Sequence, residues 1–153
     1  MIGDAKWYLG GTNSSNVLAS HFYKYERGTG VYSGRSTSWT GKVGLMYPSD
    51  YGYATSGGTT TNRASCLSKA IYNWSDSSVS DCKNNDWIYN SSLWQWTISS
   101  PVDFSYVFYV NPAGLVYNDD ASHDHAARPV VHLKSTIKVI TGSGTKESPY
   151  ILE

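Results

Sequence analysis

Apolar and polar positions alternate in three ways along the chain. Lys6-Trp7-Tyr8-Leu9 followed by Gly10-Gly11 predicts a short strand that ends in a turn. Val17, Ala19, Phe22, Tyr23 and Glu26 recur at near-helical spacing, which predicts a first helix. The polar run Asn13 to Asn16 is placed to cap it, and Arg27 and Gly28 are placed to stop it. Gly30 to Gly44, with Tyr32 and Trp39, reads as a turn-rich loop with short strands, and Gly44 to Pro48 as a strand closed by its proline. Ala64, Leu67, Ala70, Ile71 and Trp74 then line one face of a second helix, with Thr61 or Asn62 as its N-cap.

From Trp87 onward the period changes to two. Trp94, Trp96 and Ile98 alternate and predict a half-buried strand. Tyr106 to Val110 is an unbroken apolar run suited to a central strand. Asn111-Pro112-Ala113-Gly114 is a turn, and Leu115-Val116-Tyr117 is its hairpin partner. Asn118 to His125 reads as a polar loop. Pro129 to Leu133 is a further strand, with Val131 and Leu133 on one face. Ile137 to Ile140 and Tyr150 to Leu152 predict a last hairpin. The expectation is an α+β chain, two helices on mostly antiparallel strands. There is no internal repeat. A length of 153 residues suits a single domain, residues 1–153.

Composition changes this picture by pointing outside the cell. Tyr and Trp number 13 and 6 against 3 Phe, so ring area comes with polar handles. Charged residues are 16%, which leaves solubility to Ser, Thr, Asn and Gly. The formal net charge of +0 offers no basic stripe, so nucleic acid is not an expected partner. No apolar run approaches the roughly 18 residues of a membrane span. No signal-peptide pattern is present. The start Met1-Ile2-Gly3-Asp4 reads as artificial, so an upstream segment is expected to hold the export signal or the membrane or wall anchor.

Cys66 and Cys82 admit two readings: a disulfide, or two unrelated buried thiols. The exported character of the composition favours the disulfide, which would be worth about 3 kcal/mol on a loop-entropy argument. With two thiols and no CxxC, a metal site there is not expected.

Several stretches of the chain resemble a group of bacterial surface domains related to the C-type-lectin-like fold. Trp96-Thr97-Ile98-Ser99-Ser100-Pro101 is similar to that group's W-x-L-R-S-P. Tyr109-Val110-Asn111-Pro112-Ala113-Gly114 is similar to its strand-and-turn motif. Ala127-Arg128-Pro129-Val130-Val131-His132-Leu133 is similar to its G-[VF]-R-P-[AV]-[LV]-x-L. The ending Ile140 to Thr145 with Ser148 to Leu152 resembles the G-x-G-T-x-x-x-P-Y-x-L of such proteins in gut Firmicutes. Gly44 to Ala54 is also similar to a stretch of that group, where it often follows a prepilin-type N-terminal helix. Ser99 replaces the usual Arg and Ala127 the usual Gly, so the contact made by that Arg is not carried over. Arg128 is kept and is expected to play a structural part, a guanidinium packed beside a strand and suited to a buried carboxylate. The resemblance implies a C-type-lectin-like domain at the cell surface. Related folds include a cysteine-dependent oxidase, but neither Cys lies at the Arg-Pro motif, so that activity is not implied.

Hydrolase, metalloprotease, P-loop and dinucleotide fingerprints are absent, and no catalytic residue or cofactor is expected. His123-Asp124-His125 in extended backbone would set two imidazoles on one face, a Zn²⁺ or Cu²⁺ arrangement, and Asp119, Asp120 and Asp124 would suit Ca²⁺. The reading preferred is a solvated loop, because the Glu-Pro-Asn and Trp-Asn-Asp signatures of calcium lectins are missing. Trp7, Trp74, Trp96 and Phe108 are assigned to the core. The expected binding face lies on loops flanking the late strands: Trp94, Asp103, Phe104, Tyr106, Asn118, Asp119, His123, Asp124 and His125. Its expected ligand is a glycan or protein on a host or neighbouring cell. Rival expectations are a pilin-like or surface-layer subunit, a glycan-acting enzyme with two facing carboxylates, and a sequence-diversified receptor.

Overall fold

The structure is a computed structural model and describes residues 1–31, 33–102, 105–145 and 147–153. It is mixed α+β, with its strands mostly antiparallel. In chain order the elements are β1 (Ala5–Tyr8), α1 (Ala19–Glu26), β2 (Ser38–Gly41), β3 (Val43–Leu45), α2 (Pro48–Ala54) and α3 (Arg63–Leu67). Two 3-10 turns, Ile71–Ser75 and Ser77–Val79, lead into α4 (Ser80–Asn84). The strands β4 (Gln95–Trp96), β5 (Tyr106–Val110), β6 (Val116–Asp120), β7 (Ala126–Ala127), β8 (Pro129–Val131), β9 (Val139–Thr141) and β10 (Ile151–Leu152) complete the chain.

The main sheet runs β6-β5-β4-β7, antiparallel except for the β4–β7 pair. Three two-stranded pairs accompany it: β1 with β2, β3 with β8, and β9 with β10. The β5–β6 hairpin turns on Gly114, at φ 85°, where the left-handed backbone suits glycine. Asn111 closes that turn: its carbonyl accepts the Gly114 N–H at 2.9 Å and its side-chain oxygen accepts the Leu115 N–H at 3.2 Å.

The core lies between the helices and the inner face of this sheet. Phe22 of α1 meets Phe108 of β5 edge-on at 5.2 Å between ring centres. Tyr51 of α2 packs on Trp74 at 5.4 Å and donates its hydroxyl to the Gly114 carbonyl at 2.8 Å. Met46, Ile71, Val110 and Val116 fill the space between them. The helices α1 and α2 cross closely because position 52 is glycine; a Cβ there would stand 2.6 Å from the Ala19 Cβ. The Cys66–Cys82 disulfide is formed, with both residues wholly buried, and it ties α3 to α4. Beside it, the Asp81 carboxylate accepts the N–H groups of Thr60 and Thr61 and the Thr60 hydroxyl, so the loop before α3 is held to α4. These bonds, the Thr60 hydroxyl first, hold the Asp81 pKa below the ordinary value.

Several expectations need correction. There are four α-helices among the described residues, not two. Pro48 opens α2 rather than closing a strand. Proline suits a first helical turn, where its missing N–H costs nothing, and Asp50 Oδ2 accepts the Tyr47 N–H at 2.8 Å. The apolar face from Ala64 to Trp74 is real, but the helix stops at Leu67 and resumes as the 3-10 turn Ile71–Ser75. Asn62 does cap α3, accepting the Ser65 N–H at 2.9 Å. The run Asn13–Asn16 does not cap α1, whose N-cap is Leu18 without a side-chain bond. The expected loop at Asn118 is strand through Asp120.

Trp96 is the most instructive correction. The strand around β4 does alternate, but Gln95, Thr97 and Ser99 point inward, all at most 1% exposed. Thr97 is stabilised there by donating both its N–H and its hydroxyl to the Phe108 carbonyl, at 2.9 and 2.8 Å. Trp94, Trp96 and Ile98 are thereby turned to the outer face.

Candidate functional site

The outer face of the main sheet carries a connected group of rings. Pairing sets Trp96 opposite Tyr109 and Tyr109 opposite Tyr117, so the pleat turns all three outward. Tyr109 is the floor, only 6% exposed. Trp94 covers it at 5.3 Å between ring centres, Trp96 at 6.0 Å and Tyr117 at 6.5 Å. Tyr72, from the 3-10 turn, continues the row at 5.7 Å from Tyr117. Water still reaches much of it: Trp94 is 45% exposed, Tyr117 43% and Tyr72 38%.

His125 sits in the middle. Its ring is 4.2 Å from Trp96, 5.0 Å from Tyr109 and 5.6 Å from Trp94, nearly parallel to the last. It is held there because the Ala126 N–H bonds the Trp94 carbonyl at 2.7 Å, drawing β7 onto β4. His125 Nδ1 lies 2.8 Å from the Asp124 carbonyl and so carries the proton in a neutral ring. Its Nε2 is buried, 3.5 Å from Asp119 Oδ2, and makes no hydrogen bond with the described residues.

Asp119 links this imidazole to the next. Its Oδ2 is 2.8 Å from His123 Nδ1, and His123 is open to solvent. The His123 bond, with its charge, holds the Asp119 pKa below the ordinary value and raises that of His123. Tyr109 is pushed above its ordinary value, first by burial and then by the Asp119 charge. The result is an aromatic platform with one carboxylate–imidazole pair on its rim. Such a surface can stack on a flat ligand and hydrogen-bond at its edge.

The structure therefore brings together Trp94, Asp119, His123 and His125. Asp124 is exposed beside them and contributes its carbonyl. Asn118 and Tyr106 lie on β6 and β5 with the opposite pleat parity from Tyr109 and Tyr117, so they do not join the platform. Asp103 and Phe104 lie outside the described residues. Trp96 and Tyr109 belong to the site but were assigned to the core and to a buried strand. The signal that would have found them is the polar set Gln95, Thr97 and Ser99, which had to face one way or the other. Among the described residues no group of three or more His, Cys, Asp or Glu is arranged to hold a metal ion.

Arg128 makes no hydrogen bond and no ion pair within 4.0 Å among the described residues; the carboxylate it influences is Asp86. Asp86 is buried, with Oδ1 accepting the Ile88 N–H at 2.8 Å and Oδ2 without a hydrogen bond. Burial raises its pKa to about 7, against the pull of two backbone bonds and of Arg128. The expected close pairing of Arg128 with a buried carboxylate is thus replaced by a longer-range attraction.

No family model, curated protein or solved structure matches this chain. Among the described residues no helix is long and apolar enough to cross a membrane.

Proposed function

We propose that this chain is an extracellular, lectin-like ligand-binding module whose outer aromatic face stacks on glycans. The resemblance of its late motifs to C-type-lectin-like surface domains supports that reading of the fold. The observation that carries the function is the row of open rings Trp94, Tyr117 and Tyr72 over the buried Tyr109, with the Asp119–His123 pair at its rim. Rings this large are left in water, at the cost of apolar exposure, on a sheet whose other face buries Phe108, Val110 and Val116. Sugar rings present C–H faces that stack on such a platform and hydroxyls that meet the carboxylate and imidazole. Display on a bacterial surface fits the disulfide and the composition. The proposed activity is binding without turnover.

The test is a glycan array with the intact protein, followed by titration of any hit. Trp94→Ala with Tyr117→Ala should weaken binding at least about tenfold, since each stacked ring is worth roughly 1 kcal/mol or more. Tyr106→Ala, on the opposite parity, should not. Binding that survives the double variant, or an array without a glycan hit, would reject the glycan face.

A second reading has its own observation. The β9–β10 hairpin exposes Val139, Ile140, Tyr150 and Ile151, all above half. Such a patch suits a pilin-like or surface-layer subunit. Concentration-dependent oligomers broken by Ile140→Lys would favour it over adhesion.

A further inference from the structure

We propose that a second site, the cavity between Trp87, α2 and β8, binds a small organic acid: a carboxylate carried on a flat aromatic body. It is separate from the sheet's outer face and does not depend on it. The cavity is about 580 Å³, within the range of small-molecule sites. Its walls are mainly apolar: Trp7, Met46, Tyr47, Ile88 and Val130. Two guanidiniums enter it, Arg27 and Arg128, against one carboxylate, Asp50.

The charges in the wall are not equally available. Asp50 is already engaged, accepting the Tyr47 N–H that opens α2. Arg27 is fixed in place rather than neutralised. Its guanidinium lies 3.9 Å over the Tyr23 ring and 5.2 Å from that of Tyr47, and one nitrogen contacts Glu26 Oε2 at 3.3 Å. Glu26 itself is wholly buried and spends its two oxygens on the N–H and hydroxyl of Ser49. Arg128 is half-buried with five donors and no acceptor among the described residues. Its attraction to Asp86 acts at longer range and occupies none of those donors, and the planar acceptor that matches a guanidinium two bonds at a time is a carboxylate.

The apolar part of the ligand follows from Trp87. It is 76% exposed, the most open large hydrophobic side chain of the described residues, although its neighbours Asp86 and Ile88 are buried. Those buried neighbours fix the backbone there, and the indole lines the cavity. A flat ring entering between Trp87 and the Trp7 wall would cover both, with its carboxylate directed to Arg128. An aliphatic acid would leave that indole in water. A neutral aromatic would leave the guanidinium unpaired.

The experiment is a titration of the ¹⁵N-labelled intact chain with 3-phenylpropionate, following the Trp87 indole and Arg128 Nε–H resonances, beside 3-phenylpropionamide as the uncharged analogue. The acid should give saturable shifts at both groups and bind roughly tenfold or more tightly than the amide. Arg128→Gln should erase that preference, and Trp87→Ala, at an exposed position, should weaken both probes. Trp94→Ala should change neither, which separates failure of this site from failure of the outer face. Equal affinity for acid and amide in the unaltered chain overturns the proposal without any variant. So does the absence of saturable shifts at millimolar acid, or full acid preference in a folded Arg128→Gln protein.

Discussion

The two faces of the β6-β5-β4-β7 sheet carry similar numbers of large side chains but hold them differently. On the inner face Phe108, Val110 and Val116 are wholly buried under α1, α2 and Trp74. On the outer face Tyr109 is covered by rings that are themselves wet. The inner set is explained by burial, worth roughly 1.5–3 kcal/mol for each side chain removed from water. The outer set gains far less from folding, so its aromatic composition calls for another cause. That difference is why the outer face, and not the best-packed rings, is the candidate for recognition.

The sharpest break of this comparison is a pair of truncations. Phe108→Ala should cost about 3–5 kcal/mol in urea unfolding, as for a large ring deleted from a packed core. Tyr117→Ala, across the same sheet, should cost about 1 kcal/mol. Similar losses at the two sites would mean that the outer rings are structural. Reduction of the Cys66–Cys82 disulfide should cost about 3 kcal/mol, because the cross-link limits the unfolded chain. A melting temperature unchanged by reductant would remove the helical side from its supporting role.

The pH dependence separates the two sides next. Burial raises the Glu26 pKa from 4.5 to about 7, despite its bonds to Ser49, and raises that of Asp86 to about 7. In both cases the folded state holds the proton more tightly than the unfolded state. Their stabilisation is thus complete below the unfolded pKa and is lost as pH rises through about 7. A shift of the Glu26 size corresponds to roughly 3 kcal/mol. Denaturation midpoints should fall between about pH 5 and pH 8. Glu26→Gln should flatten that slope, and Asp119→Asn, which removes only an exposed pair with His123, should change it little. A slope that survives both Glu26→Gln and Asp86→Asn would place its origin elsewhere. The smallest effect is expected at Gln95, whose buried Nε2 lacks a hydrogen bond. Gln95→Met should raise stability by about 1 kcal/mol, seen as a higher melting temperature, without touching ligand binding.

The candidate site was legible only in part. His123, His125 and Asp119 stood out as a cluster of polar chemistry, and Trp94 as a ring near a loop. Their convergence depends on β7 docking in parallel on β4, a pairing between segments 31 residues apart, Gln95 with Ala126, that no local pattern encodes. Trp87 and Arg128 likewise gave no local sign that they line one cavity.

What the sequence by itself determined is the periodicity: a first helix ending near Glu26, a central strand at Tyr106–Val110, its hairpin turn at Asn111–Gly114, and a disulfide-compatible pair of cysteines. These follow from spacing and turn chemistry, which act between near neighbours. What only the tertiary structure decided is direction. Alternation at Trp94–Ile98 is symmetric, and hydrophobicity alone points Trp96 inward. The assembled sheet placed Gln95, Thr97 and Ser99 there instead, because the Phe108 carbonyl could accept two hydrogen bonds from Thr97 inside the fold. A one-face choice in a strand depends on which side is met by helices, and that is settled by contacts distant in sequence.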